Sequence, residues 1–340
     1  MEVPMERDEI IIRRAIIHIL DSAVGMPVLS DTLLELSEEM NDFLRGHIYK
    51  IASGDDCKKC NFDKDQSSIY SILSSFNEED LVTISQQIAD NLYSIMNQNI
   101  DIPAADLFVV TYQCNSQIHL AILKMNYKEF YVHYTQNVDA MNMVDIIKQT
   151  AALPGMGSRL SEAALINLSD FTMVIVEKKY DINGVKANYF SEMFLKCSTQ
   201  MSSKTKLAIV TKAVEQVNKK YYEDDFDKQM LAKSLIHNDI IEQGSIVPET
   251  IGDKLFGEIP EIKEEFIEKL EKYNLVTQEV TPQNKLTTKK FEKQFLTTDS
   301  GIEINIPMEE YNNKENVEFI TNPDGSISVL IKNINKITSK

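Results

Sequence analysis

The chain has 340 residues, of which 43% are hydrophobic, and its 35 basic and 52 acidic side chains give a formal net charge of −17. This length exceeds that of a typical single core, so we expect two or three packed units. No segment approaches the roughly 20 apolar residues of a membrane-spanning helix, so we expect no membrane partner. Four cysteines in so long a chain and an acidic N-terminus predict a reduced, cytoplasmic protein.

The first third of the chain predicts one strand followed by helices. The Ile-rich residues 10–20 predict the strand, and Ser30 is placed to cap a helix over 33–51. The polar stretch 53–66 predicts an exposed loop. After it, Leu and Ile recur at helical spacing over 78–97 and predict a further helix.

The middle of the chain predicts an antiparallel sheet. Apolar runs and alternating side chains predict its strands over residues 107–113, 118–127, 130–135, 165–168 and 171–177. We expect the first three of these strands to be neighbours in one sheet. Residues 144–153 fit neither a strand nor a helix clearly. Ile182-Asn183-Gly184 predicts a turn.

The last part of the chain predicts helices and then strands. Helices are expected over residues 188–197, 204–221 and 226–275, the last interrupted at 244–248 and 257–260. The polar stretch 277–298 predicts a linker or a peripheral segment. Strands are expected over residues 302–306, 317–321 and 326–331, with a turn at 322–325.

These elements predict an α+β fold in two domains. Residues 1–222 would form a mixed or antiparallel sheet with covering helices. Residues 223–340 would form a helical segment that ends in a β hairpin. Nothing in the pattern requires a cofactor.

Three stretches of sequence carry a family resemblance. They are His18–Asp31 (HILDSAVGMPVLSD), Ile102–Tyr134 with its ILKMNYKEFY core, and Ser300–Asn335. In this order and over most of the length, they resemble the bacterial nucleoid-associated protein family known as NdpA or YejK. The resemblance implies a non-enzymatic protein of the nucleoid that binds DNA with little sequence preference.

Basic side chains are concentrated in one part of the chain. Residues 1–150 hold 11 basic and 23 acidic side chains, whereas residues 171–220 hold 9 basic and 4 acidic ones. DNA affinity depends on neutralising phosphates, so this central segment predicts a phosphate-binding face. Its basic residues are all lysines, which suit contact without sequence preference. The predicted nucleic-acid-binding residues are Lys178, Lys179, Lys186, Lys204, Lys206, Lys212 and Arg159.

Each part of this prediction has an alternative. A run of lysines is also typical of a solvated surface. Arg159 ends the Gly-rich segment 154–159, which is either a mobile phosphate-contacting loop or a plain connection. Interleaved aromatic residues suit either base stacking or the core; they are Tyr180, Tyr189, Phe190 and Phe194.

Cys57 and Cys60 form a CxxC motif, which supplies two of the four ligands that zinc requires. A second CxxC is absent, so the alternatives are two loop cysteines, a zinc site shared across a dimer, or a redox pair. Three histidines, His18, His119 and His133, fall in predicted strands. We expect hydrogen bonds to satisfy them.

Three functional hypotheses follow. The first is a homodimeric nucleoid-associated protein that binds double-stranded DNA through its lysines. The alternative is an acidic adaptor whose N-terminal half docks on a DNA-processing or defence enzyme and regulates it. An enzyme would need a pocket that joins His119 or His133 to carboxylates or to the CxxC cysteines.

Overall fold

A computed structural model describes residues 6–22, 25–138, 141–223 and 226–338. The chain forms two compact units, Met1–Ser202 and Ser203–Lys340. The helix over 203–221, which we expected in the first domain, packs against helices of the second unit. Our predicted domain boundary at residue 222 describes which parts of the chain fold independently, and it stays a prediction.

Strands dominate the first unit. In chain order they are β1 (Ile11–Leu20), β2 (Lys58–Phe62), β3 (Ala105–Cys114), β4 (Gln117–Asn126), β5 (Lys128–Val138), β6 (Met141–Ala152), β7 (Glu162–Asn167), β8 (Met173–Val176), β9 (Tyr180–Ile182), β10 (Val185–Ala187) and β11 (Cys197–Thr199). Seven of them form one antiparallel sheet in the order β1-β3-β4-β7-β8-β2-β11. The α+β fold with an antiparallel sheet is confirmed.

Helices cover both faces of this sheet. They are α1 (Glu38–Ala52), α2 (Ser68–Ser74) and α3 (Leu81–Gln98). Successive strand side chains point to opposite faces, so each central strand contributes to two cores. In β3, Val109 packs with α3 on one face and Val110 packs with α1 on the other. This double burial explains why the central strands read as continuous apolar runs.

The start of α1 differs from the prediction. The helix is capped by Ser37, whose Oγ accepts a hydrogen bond from the Met40 N–H at 3.2 Å, and not by Ser30. The Ser30 N–H instead donates to Nδ1 of His18, and the Leu34 N–H donates to the Ala15 carbonyl at 2.8 Å. These bonds to β1 hold the segment before Ser37 outside the helix.

The predicted loop over 53–66 is wrong, because it contains β2. This strand lies inside the main sheet between β8 and β11. Cys60 and Phe62 are buried, while Lys59 and Asn61 are exposed. Only Cys60 and Phe62 of this five-residue strand are buried, and two of its other residues are lysines. The mean hydropathy of β2 is therefore low, and a prediction based on polarity takes the strand for a loop.

The expectation that 130–135 lies in the same sheet as its two predecessors is also wrong. After β4 the chain enters β5, which pairs with β6 in a separate two-stranded sheet. The edge of β4 that faces away from β3 pairs with β7 instead, and His119 lies opposite Asn167. The ambiguous residues 144–153 belong largely to β6.

One edge of the main sheet is formed by β1, which carries two arginines. Arg13 makes a bidentate ion pair with Glu78 at 2.9 and 2.7 Å, and Arg14 contacts Glu79 at 2.5 Å. The register of β1 against β3 shifts between Ile12 and Arg14, which marks a bulge. Hydrogen bonding to Arg13 lowers the pKa of Glu78, so the pair stays charged.

A buried ion pair joins β4 to β7. Lys124 and Glu162 are opposite each other in the register, and neither side chain is exposed. Their charged atoms are 3.5 Å apart, and Lys124 Nζ also donates to the Pro103 carbonyl at 3.0 Å and to Asn126. Burial lowers the pKa of Lys124 to about 8, although the carboxylate opposes this shift.

The second unit begins with helices and ends with hairpins. Its helices are α4 (Ser203–Tyr221), α5 (Phe226–Gln243), α6 (Pro248–Phe256), α7 (Pro260–Glu271), α8 (Lys285–Thr288) and α9 (Met308–Tyr311). Its strands are β12 (Lys293–Thr297), β13 (Glu303–Pro307), β14 (Val317–Thr321) and β15 (Ile327–Ile331), paired as β12–β13 and β14–β15. The predicted helix breaks and the closing hairpin are confirmed. Among the described helices, none has the length and apolar character needed to cross a bilayer.

The predicted linker over 277–298 is wrong, because it contains α8 and β12. Phe291 is buried between them, and Gln294 is buried within β12. Val280 pairs with Ile246 through two backbone hydrogen bonds of 2.9 and 3.0 Å. A few anchoring residues thus order a stretch whose composition is mainly polar.

The buried ion pair generates the first prediction. Lys124→Met leaves the Glu162 carboxylate buried without its counter-charge, so the free energy of unfolding should fall by about 3 kcal/mol. A variant with both Lys124→Met and Glu162→Leu should recover most of this loss, since no charge remains buried. Urea unfolding measures both effects.

Lys148→Met serves as the control, because Lys148 pairs with Glu129 on an exposed surface. It should cost less than about 1 kcal/mol. A double variant as unstable as Lys124→Met alone would show that the pair contributes net stability and would contradict the prediction.

Candidate nucleic-acid interface

The lysines of the central segment lie in both compact units. Lys178 and Lys179 follow β8, and Lys186 lies on β10 in the first unit. Lys204, Lys206 and Lys212 lie on α4 in the second unit. The predicted basic face therefore consists of two groups, each of which has its own local structure.

The first group surrounds the short β9–β10 hairpin. The predicted turn is confirmed: Asn183 and Gly184 have φ values of 54° and 83°, and the Gly184 N–H donates to the Asp181 carboxylate at 2.7 Å. Lys186 lies opposite Asp181 in the register of the hairpin. Lys178 and Lys179 are exposed, and the Lys178 ammonium lies 5.5 Å from the centroid of the Tyr180 ring.

The second group follows from the amphipathic pattern of α4. Leu207, Val210, Val214 and Val217 are buried along one side of the helix. Lys204, Lys212 and Lys219 are exposed on the other side, within about 80° of one another at 100° per residue. We call these three residues the α4 lysine stripe. At 1.5 Å per residue it spans about 22 Å.

The ammonium groups of the α4 lysine stripe make no ion pair with any residue in the described ranges. By contrast, Lys220 is bound to Glu265 at 2.6 Å, and Lys206 is half-buried on the flank of the helix. Glu215 is exposed on the same side of the helix, one turn from Lys212 and one turn from Lys219, and offsets part of their charge. The stripe therefore offers exposed positive charge at regular intervals along a rigid element.

Arg159 lies apart from both lysine groups in the sequence, and it is already engaged. Its guanidinium is 2.9 Å from the Asp56 carboxylate, and its side chain is about half exposed. Lys50 Nζ donates to the carbonyls of Met156 and Gly157 at 3.2 and 2.5 Å. The Gly-rich turn is thus fixed to α1 by described contacts, and a phosphate at Arg159 would have to replace Asp56.

Other cations that we did not predict converge on this turn. Lys128 donates to Ser158 Oγ at 2.9 Å, and a guanidinium nitrogen of Arg7 lies near Gly46, as does the sulfur of Met156. With Arg159 and Lys50 they form a local basic cluster around the turn. The residues come from four distant segments, so no window of the sequence could indicate this cluster.

The predicted base-stacking aromatics are core residues. Tyr189, Phe190 and Phe194 are at most 2% exposed, and Tyr180 is 9% exposed. Residues 190–195 form a π-helical turn that buries these rings against α2 and α3. The stacking interpretation is therefore wrong, and the core interpretation of Phe190 and Phe194 is confirmed.

The CxxC cysteines pack on opposite sides of the main sheet. Cys57 contacts the core under α1, whereas Cys60 belongs to the core under α3. Burial raises the pKa of Cys57 to about 11, and a hydrogen bond with Cys197 together with burial raises that of Cys60. Within the described ranges, no three His, Cys, Asp or Glu residues are grouped as metal ligands.

Of the three histidines that lie on strands, His18 and His119 contact other side chains and His133 is exposed. His18 is fully buried; its Nδ1 accepts from the Ser30 N–H at 3.1 Å, and its Nε2 lies 2.9 Å from Ser85 Oγ. His119 stacks on Tyr112 with 5.0 Å between ring centroids. His133 lies on the exposed strand β5.

The pocket that an enzyme would need is only partly formed. His119 lines a cavity of about 560 Å³ together with Asp170 and Cys60. Among the described residues, the hydrogen-bond partner of the His119 ring is the Gln117 carbonyl, which lies 3.2 Å from Nδ1. The Asp170 carboxylate is occupied by Thr172. The His119 ring therefore has no hydrogen bond to a carboxylate or a thiol in the part of the chain that the structure describes.

Comparison with known proteins identifies one family. The family model described as nucleoid-associated protein YejK matches residues 16–338, which is nearly the whole chain. No curated protein matches this chain. The match contains both lysine groups and Arg159, and it confirms the family expected from the three sequence stretches.

The burial of His18 generates a pH-dependent prediction. Burial lowers the pKa of His18 from 6.5 to about 4, so the unfolded chain binds this proton first. The contribution of His18 to the free energy of unfolding should therefore be fully present above pH 6.5 and should be lost as the pH falls towards 4. The slope should reach up to about 1.4 kcal/mol per pH unit for one proton. Thermal unfolding across this pH range measures the slope.

His18→Asn keeps a donor and an acceptor but does not titrate, so it should reduce this slope by one proton. Burial lowers the pKa of His47 to about 4 as well, so His47→Asn should remove a second, independent contribution. Unchanged slopes in both variants would contradict the assignment of the acid sensitivity to these histidines.

Proposed function

Because the chain belongs to the family of nucleoid-associated protein YejK, we propose that it binds double-stranded DNA on the nucleoid without catalysing a reaction and with little sequence preference. The observation that carries this proposal is the α4 lysine stripe, whose three ammonium groups are exposed and have no ion-pair partner among the described residues. The exposed Lys178, Lys179 and Lys186 of the first unit would add further phosphate contacts, together with Lys206 and Arg159.

Phosphate contact accounts for the low sequence preference. An ammonium is a compact charge that binds a phosphate oxygen without reading a base edge, whereas guanine recognition favours the bidentate guanidinium. The proposed lysine contacts therefore position the protein on the duplex and carry no sequence information.

The net charge of −17 limits where and how tightly DNA can bind. Acidic surfaces repel the duplex, so contact would be confined to the lysine groups and would weaken steeply with salt. A homodimer would offset the modest affinity of each copy, because a second set of contacts on the same duplex forms at a high effective concentration.

The acidic surface favours a second candidate function, that of an adaptor. Asp31, Glu35, Glu38 and Glu39 are all exposed along the segment that leads into α1. Such a surface suits a basic site on a DNA-processing or defence enzyme, which the protein would recruit or regulate. In that case the protein would reach the nucleoid through its partner.

Binding of labelled duplex DNA across a salt series tests the proposal. A variant with Lys204, Lys212 and Lys219 changed to Glu should bind about 100-fold more weakly than a control with the same net charge, since phosphate contacts are lost. The slope of log K against log salt concentration should shrink by about one for each lysine removed.

The control variant carries Lys64, Lys272 and Lys314 changed to Glu, all of which are exposed. It alters the net charge equally and leaves the proposed contacts intact. A third variant with Glu at Lys178, Lys179 and Lys186 measures the share of the first unit. Equal weakening by the stripe and control variants would contradict the stripe, and no wild-type binding at low salt would favour the adaptor.

A further inference from the structure

The β5–β6 hairpin exposes an unusual amount of apolar surface. Nine of its large apolar side chains are at least 40% exposed: Phe130, Tyr131, Val132, Tyr134, Met141, Met143, Val144, Ile146 and Ile147. Within the described ranges, the two strands pair only with each other. An isolated two-stranded hairpin is marginally stable in water, so a hairpin of this composition is expected to gain stability from a partner.

The register separates the hairpin into two different faces. Opposite residues of an antiparallel pair lie on the same face, so Val132 and Ile147 share a face, and Gln136 and Met143 lie on it too. We call Phe130, Val132, Tyr134, Met143 and Ile147 the apolar hairpin face. The other face is more polar, because Tyr131, Val144 and Ile146 alternate there with Lys148, His133 and Thr135.

Charge argues against DNA as the occupant of this face. The hairpin contains two lysines, and both have partners: Lys128 donates to Ser158 Oγ at 2.9 Å, and Lys148 is 2.7 Å from Glu129. Asp145 lies beside these side chains, opposite Tyr134, and would repel phosphate; its carboxylate accepts a hydrogen bond from the Ile146 N–H at 2.7 Å. A nearly neutral, apolar surface on a chain of net charge −17 instead fits a surface that is itself neutral and apolar.

We propose that the apolar hairpin face is the surface through which two copies of this chain associate. The five side chains and Met141 would bury about 600 Å² on each copy, close to the lower end of the roughly 1,200–2,000 Å² total of a stable interface. Packing of the same face from both copies is two-fold symmetric, so the association closes at a dimer. The inference rests on the proposed homodimer and is independent of DNA binding.

This proposal assigns the dimer interface to one surface of the chain. It places the self-association residues on β5 and β6, apart in the chain from the lysines of α4. Association driven by apolar burial should persist or strengthen at high salt, because salt screens the repulsion between two acidic copies.

Sedimentation equilibrium of the full chain without DNA tests the inference. Tyr134→Lys combined with Met143→Lys places two cations on the apolar hairpin face, where a dimer would bury them. The dimer dissociation constant should rise at least about 100-fold. The Tyr134→Lys change lies opposite Asp145, so the hairpin keeps a favourable cross-strand pair. The Met143→Lys change lies opposite Gln136, so its cation would be buried without a counter-charge in a dimer.

His133→Lys combined with Val144→Lys is the matched control. These positions have the same diagonal relation across the strands but lie on the opposite face. The control should remain a dimer, and circular dichroism should show that both variants are folded. Dissociation of the control to the same extent, or a wild-type dimer insensitive to the Tyr134 and Met143 changes, would overturn the location; a monomeric wild type would overturn the dimer itself.

Discussion

Burial of the seven-stranded sheet on both faces is the constraint on which the first unit depends. Once α1 and α3 cover the sheet, every polar group on a central strand must find a partner inside the protein. Lys124 finds Glu162, His18 finds Ser30 and Ser85, and the Thr111 hydroxyl donates to Glu78 at 2.8 Å. These bonds join neighbouring strands or join a strand to the element above it. These polar residues of the sheet thus fix register and packing.

The sequence predicts those elements whose own side chains decide their structure. The helix α3 follows from its apolar stripe, and the β9–β10 turn follows from Asn183-Gly184, which tolerate positive φ. Elements decided by distant partners are missed. Hydrogen bonds from Ser30 and Leu34 to β1 delay the start of α1, and β2 is a strand because β8 and β11 flank it.

The candidate interface shows the same division. The composition of residues 171–220 indicates where lysines are concentrated, and the pattern of α4 places three of them on one exposed side. Composition cannot show that Arg159 is paired with Asp56 or that the interleaved aromatic rings are buried. It also cannot show the basic cluster around Met156, whose members meet only after folding. Local sequence thus indicates which charges are present, and the fold determines which of them are free.

The arginines at the β1 edge have a consequence for the behaviour of the protein at high concentration. An open sheet edge offers unpaired backbone groups to any other extended chain, which is a common route to fibrous aggregates. Here residues 28–34 cover part of the edge, because Ile19 and Val28 exchange two backbone hydrogen bonds and the Leu34 N–H donates to β1. A bulge and the charged pairs of Arg13 and Arg14 interrupt the rest. An incoming strand would have to accept this irregular register and displace hydration from four charges. Even at high protein concentration, another chain should therefore not add a strand to the sheet at β1.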